Sequence, residues 1–279
     1  MKIAITAEST IDLPHELLEK YDIKTLPFTV ILGDKDYKDG EITSADIFKF
    51  VEENKILPKT SAINEVQYTE FFESVLKNYD AVVHFCLSSG ISSACNNAKL
   101  AASNLKNVYV VDTKSLSTGI ALLAIYAREL AENGKSAEEI FELCEKRTKD
   151  VQASFVVKKL DYLHKGGRCS SIALLGANLL SIRPEIILSE GKMISAKKYL
   201  GKMEKVIEKY CKDVLADNPN PDTKYAFVTY TTASEEMVNI AKSALQTAGF
   251  ETIYETTAGA TITSHCGENT LGILFLNES

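Results

Sequence analysis

The chain has 279 residues, of which 45% are apolar and 25% charged, with a formal net charge of −7. That is the balance of a globular chain with a large core, longer than one typical domain, and its acidity argues against a nucleic-acid binder. The apolar run after Met1 ends at Glu8, too short for a signal peptide, and no later run reaches bilayer length, so a cytoplasmic protein is expected. Six cysteines without a C-x-x-C pair and only four histidines give no zinc-ligand spacing, so buried thiols and no metal or cofactor are expected.

In chain order, residues 2–6 read as a buried strand, Ser9 to Pro14 as a turn and cap, and a helix starts at His15. Thr25 to Leu32 reads as one strand, and Gly33 to Gly40 has the turn chemistry of a small exposed hairpin. Helices are expected over 44–53 and 65–76, a strand over 81–87, a helix over 94–105, a strand over 108–112 and a long helix over 117–132. This repeated βα order predicts a mostly parallel sheet covered on both faces.

The pattern changes near Asp150. A strand near 154–157, a short helix from Leu160 ended by Gly166-Gly167 and an apolar helix over 172–180 precede a hairpin turning at Glu190-Gly191. A helix over 202–215, strand 225–230, helix 235–248, strand 251–255 and strand 271–276 complete an α+β half with helices on one side of its sheet. The fold class expected is therefore α/β with two domains, 1–151 as an N-terminal α/β domain carrying a hairpin insertion near 33–40, and 152–279 as a C-terminal α+β domain.

Leu87-Ser88-Ser89-Gly90-Ile91-Ser92-Ser93 stands between a strand and a helix start, where unpaired backbone N–H groups and hydroxyls suit an oxyanion. The same residues also suit a plain turn and cap. In a parallel sheet, Thr10, Ser89 to Ser93 and Asp112 to Ser117 gather at the strands' carboxyl ends, with Thr60-Ser61 able to join them. Residues 151–215 hold 12 Lys and Arg against 6 Asp and Glu, a basic segment in an acidic chain, suited to a phosphate-bearing ligand or an acidic partner. The phosphate loop that Gly134-Lys135-Ser136 would require is absent, as is the glycine two places before Ser88 or Ser89 that a hydrolase elbow needs.

Seven ordered blocks then carry a family resemblance: Glu8 to Thr10 with Asp12 to Pro14, Lys59 to Ser61, Leu87 to Ser92, Val111 to Thr113, Leu160 to Arg168, Arg183-Pro184, and His265 ahead of Leu271-Gly272. Over essentially its whole length the chain resembles the DegV family of fatty-acid-binding proteins, whose fold is related to the substrate-binding subunit of dihydroxyacetone kinases. The resemblance implies a long-chain fatty acid, such as palmitate or oleate, bound between two domains. Its carboxylate would be held by Thr60, Ser92 and His265, supported by Ser61, Ser89, Gly90 and Ser93. It further implies a non-catalytic carrier that presents the carboxylate to a dihydroxyacetone-kinase-like fatty acid kinase. The acyl phosphate so formed would serve phospholipid synthesis, with a transient membrane or acyltransferase contact. Arg168, Lys198 and Lys202 would meet that partner or the phosphate.

The apolar runs 120–127, 172–180 and 186–188 are candidates to line the tail. The chain departs from the family pattern at Ala62-Ile63, at Ser93-Ala94-Cys95 and at Gly267-Glu268-Asn269, all near the expected head group. Two other readings stand beside this one: a hydrolase or acyltransferase using Ser92 with His265, and covalent capture of a small carbonyl compound by His265.

Overall fold

The computed structural model describes residues 1–169 and 182–279; the helix expected over 172–180 lies outside the described residues. Strand β1 (Ile3–Glu8) leads through a 3-10 turn (Ser9–Ile11) to helix α1 (His15–Lys20), followed by β2 (Ile23–Leu26), β3 (Thr29–Leu32), β4 (Lys35–Lys38), α2 (Ser44–Asn54), β5 (Lys59–Ser61) and α3 (Glu65–Leu76). Next come β6 (Ala81–Cys86), α4 (Ala94–Ser103), β7 (Val108–Asp112), α5 (Thr118–Glu132), α6 (Ala137–Arg147), β8 (Val151–Val156) and α7 (Asp161–Gly166). The chain closes with β9 (Ile182–Ser189), β10 (Lys192–Leu200), α8 (Met203–Asp217), β11 (Pro221–Tyr230), α9 (Glu235–Thr247), β12 (Thr252–Thr257), α10 (Ala260–Cys266) and β13 (Leu271–Asn277).

The expected parallel sheet has the order β2-β1-β6-β7, all strands parallel. A separate six-stranded sheet has the order β10-β9-β8-β13-β11-β12, with only β11 and β12 running parallel. This is the mixed α/β architecture read from the sequence. The single strand expected over 25–32 is instead two strands in two sheets. Pro27 sits at the break, where a residue without an N–H cannot extend a ladder. The hairpin near 33–40 is real, but its first arm is β3, and β5 adds a third strand to give the small sheet β4-β3-β5.

Helix α5 explains how the two halves share a core. It packs against β1 and β6 on one side and β8, β11 and β13 on the other. Ile120 through Ile125 are at most 2% exposed, and a helix apolar all round is stable only when enclosed in this way. Thr118 Oγ1 and Thr229 Oγ1, 2.7 Å apart, pair across that contact. On the far face of the mixed sheet, α8 and α9 bury Val206, Ile207, Tyr210, Met237, Ala241 and Leu245 together with Phe275, so the helices expected on one side of this sheet lie on both, because α5 of the first half covers the other face.

Two helices escaped the sequence reading. For α6 the signal was present: Ser136 and Glu139 form a reciprocal capping box at its start. For α10 it was not, because Gly259 offers no side-chain cap and the helix has only seven residues.

Candidate functional site

The loop after β6 is held from below. The Glu8 carboxylate, fully buried at the end of β1, accepts hydrogen bonds from Tyr68 Oη, from Leu87 N at 2.6 Å and from Thr10 Oγ1 at 3.3 Å. Burial outweighs these donors and lifts its pKa to about 7. From above, Ser88 Oγ donates to Gly191 O at 2.7 Å, which sets the β9–β10 turn on the loop. Gly90 packs so closely there that a Cβ would lie 2.4 Å from Gly191 O. Ser89 donates from N and Oγ to Asp112, at 3.1 and 2.5 Å. Ser92 Oγ accepts from Ala94 N at 3.2 Å in the first turn of α4, which leaves its own proton to donate elsewhere.

Across from this loop, Thr60 Oγ1 on β5 and His265 Nε2 on α10 are 2.8 Å apart. Burial, assisted by the nearby Arg168 guanidinium, lowers the His265 pKa to about 4, so the imidazole is neutral at pH 7. Its Nδ1 has no hydrogen-bond partner among the described residues. The Gly166-Gly167-Arg168 block acquires three separate roles here. Gly166 abuts the Nδ1 edge of the imidazole, where a Cβ would sit 2.7 Å from Nδ1. Gly167 takes φ +69° to end α7. Arg168 reaches the wall of the site.

Thr60, Ser92, Ser93, His265 and Arg168 line one cavity of about 80 Å³. Its remaining walls are largely apolar, from Phe28, Leu87, Ile91, Leu116, Met193 and Ile262. An open groove of about 430 Å³ adjoins it, sharing Thr60, Arg168 and His265 and adding Lys59 and Lys165. Deeper in, a cavity of about 30 Å³ shares Leu116, Ile262 and Cys266 and runs on past Phe155, Tyr230 and Leu274. Three residue types suited to a carboxylate thus converge between an apolar interior and a basic mouth.

Among the expected site residues, Thr60, Ser92, Ser93, His265 and Arg168 are brought together. Ser61 is exposed beside Thr60 and does not line the cavity, whereas Ala62 does. Ser89 and Gly90 are engaged in holding the loop. Thr10 is fully buried against Glu8. Lys198 and Lys202 are exposed around the end of β10 and the start of α8, and line neither cavity nor groove. The runs 120–127 and 186–188 do not line the cavity; the tail candidates are single residues scattered over many elements, which no continuous apolar run could signal. Because Nε2 bonds Thr60 and Nδ1 has no carboxylate on it, His265 is not set as the base of Ser92.

All six cysteines are buried. Among the described residues one group has ligand atoms close enough for a metal: Glu8, His84 and Cys86, within 4.8 Å of one another in the core. The Glu8 oxygens there are committed to protein donors. His84, lowered to a pKa of about 3 by burial, bonds Thr6 Oγ1 at 2.9 Å and is ringed by Tyr68, Phe71 and Phe72.

Fold and site together define an α/β protein of two main sheets and a small third one, with a hydroxyl- and imidazole-lined cavity opening from an apolar interior. Residues 2–278 match the sequence model described as an uncharacterised protein of the DegV family. The chain belongs to the DegV family. It is 33% identical over 284 residues to a protein of Thermotoga maritima named fatty acid-binding protein, covering 98% of this chain and 96% of that one. A solved structure of a DegV family protein from Thermus thermophilus, described by its fatty acid binding, superposes with a TM-score of 0.92 at 29% identity and full coverage of both chains. A stearic acid-binding protein from Eubacterium ventriosum superposes with a TM-score of 0.86 at 25% identity, covering 99% of this chain and 98% of the other.

Proposed function

We propose that this protein binds a long-chain fatty acid, its carboxylate at Thr60, Ser92 and His265 and its tail directed inward past Leu116 and Ile262. The observation that carries the reading is the convergence of Ser92 and of Thr60 Oγ1, oriented by the Nε2 of a neutral His265, on one cavity backed by apolar side chains. Hydroxyl donors of this kind bind a carboxylate without a full positive charge buried beside it. The cavity of about 80 Å³ is smaller than the roughly 300 Å³ at which ligand sites usually begin, so the tail would join it to the deeper space by displacing Leu116, Ile262 and Cys266. Burying about 14 methylenes at ~0.8 kcal/mol each contributes on the order of 10 kcal/mol before ordering costs, so the tail sets affinity and the hydroxyls set orientation.

The groove of Lys59, Lys165 and Arg168 beside the head group supports the second part of the reading: a carrier that offers the carboxylate to a separate kinase for acyl-phosphate formation. Lys198 and Lys202 lie off that groove and would act as docking charges only. The test is organic extraction of the purified protein and mass spectrometry of the lipids, with Thr60→Ala and Ser92→Ala alongside. Near-stoichiometric fatty acid, lost in both variants, is the expected result. A protein that is empty and stays empty when offered oleate or palmitate overturns it. For the kinase, charge reversal at Lys165, which lines the groove but not the head-group cavity, is expected to slow acyl-phosphate formation while fatty acid binding persists; an unchanged rate removes Lys165 from that role.

A further inference from the structure

The turn after β1 contributes to the family resemblance, yet none of residues 9–14 lines the head-group cavity. Its Asp12 side chain reaches the start of α10 instead. Asp12 Oδ1 accepts from Gly259 N at 2.8 Å, and Asp39 Oδ1, from the segment after β4, accepts from Ala260 N at 2.8 Å. Gly259 and Ala260 open the helix that carries His265, and Gly259 has no side chain to cap it. The unpaired first amides of α10 are therefore satisfied by carboxylates 247 and 221 residues away in the chain.

Both carboxylates are anchored in turn. Asp12 Oδ2 accepts from Ser117 Oγ at 2.5 Å, at the start of α5. Asp39 Oδ2 accepts from Ser9 Oγ at 2.9 Å, and Ser9 Oγ itself accepts from Phe28 N at 3.1 Å. The two are 5% and 9% exposed. A Cβ at position 259 would lie 3.0 Å from Asp12 Oδ1 and 3.2 Å from Asp39 Oδ1, so the approach is close enough to favour glycine. Ser44 Oγ and Thr263 Oγ1, 2.7 Å apart, tie the middle of the same helix to α2.

We propose that Asp12 and Asp39 are positioning residues for the head-group site: together they seat α10 against the first half of the chain and so set His265 on Thr60. Apolar packing of Ile262 and Cys266 buries the helix without setting its position along its own axis, whereas two amide-to-carboxylate bonds are directional. The helix is barely two turns long, so a shift at its first amide reaches the imidazole. Burial and the neighbouring Asp39 push the Asp12 carboxyl upward, against the hydrogen bonds from Ser117 and Gly259 that pull it down.

The binding part of the test rests on the fatty-acid reading; the other part does not. In the full-length, ligand-free chain, the His265 imidazole is titrated by NMR, its signal assigned by loss in His265→Gln, with the buried His84 as internal reference. In Asp12→Ala and Asp39→Ala, His265 is expected to titrate upward by about one pH unit or more as its burial loosens, with His84 unmoved, and oleate affinity is expected to fall about ten-fold. Asp12→Asn and Asp39→Asn keep an oxygen acceptor and are expected to stay close to the parent in both readouts. If an alanine variant does not fold, Ser117→Ala and Ser9→Ala remove one anchor each and are expected to move His265 in the same direction. Folded alanine variants with an unmoved His265, or asparagine variants as damaged as the alanines, overturn the proposal. A parent that binds no oleate while His265 still responds sinks the fatty-acid reading and leaves the positioning role standing.

Discussion

Gly90→Ala tests how the Ser92 loop is held. The added methyl would lie 2.4 Å from Gly191 O and 2.8 Å from its carbonyl carbon, and no side-chain rotation relieves a backbone clash. Either the loop or the β9–β10 turn must retreat, and the Ser88 Oγ to Gly191 O bond of 2.7 Å goes with it. Overpacking typically costs about 1–3 kcal/mol and a lost hydrogen bond about 1 kcal/mol. At roughly 2–4 °C per kcal/mol for a chain of this class, the melting temperature should fall by about 5–10 °C. Thermal unfolding followed by circular dichroism reads this directly, with Ser93→Ala in the same loop as a control expected to shift stability by no more than about 0.5 kcal/mol. Oleate affinity should fall in parallel, since Ser92 lies two residues further on. A variant that melts within about 1 °C of the parent would show that the loop is not packed on the hairpin as described.

Other outcomes follow from the same geometry. Glu8 rises from 4.5 to about 7 on burial, so its contribution is fully present below pH 4.5 and is lost as pH climbs through 7; stability should drop by about 3 kcal/mol across that window, and Glu8→Gln should flatten the profile in urea titrations. His265 runs the other way: lowered from 6.5 to about 4, it contributes stability present above pH 6.5 and lost as pH falls through 4, and His265→Gln should remove that acid-side loss from the same titrations. Thr60→Val strands Nε2 without its 2.8 Å partner and should weaken oleate binding about ten-fold with little change in fold, measured by calorimetry. Ser136→Ala removes the capping box of α6 and should cost about 1 kcal/mol without affecting ligand binding.

Local chemistry was legible in the sequence wherever the signal and its effect lie within a few residues. Helix α3 has the expected ends, Glu65 and Leu76, because Asn64 and Gln67 cap each other reciprocally at its start. The Glu190-Gly191 turn and the glycine stop of α7 were readable because the backbone at φ +79° and +69° favours glycine, which stands there as Gly191 and Gly167. Thr60, Ser92 and His265 were named from an ordered set of short motifs, not from any property of the three residues themselves.

The tertiary structure alone decided what those residues do. Thr60 and His265 are 205 positions apart, and no periodicity or cap in either neighbourhood encodes a 2.8 Å contact between them. It also decided that Ser89 holds the loop while Ser93 faces the cavity, a distinction between two serines four residues apart. The same holds for α10, whose cap comes from Asp12 and Asp39. Helix caps and turns are local and so are written locally, whereas a cavity wall is assembled from side chains whose proximity exists only once the sheets have packed around α5.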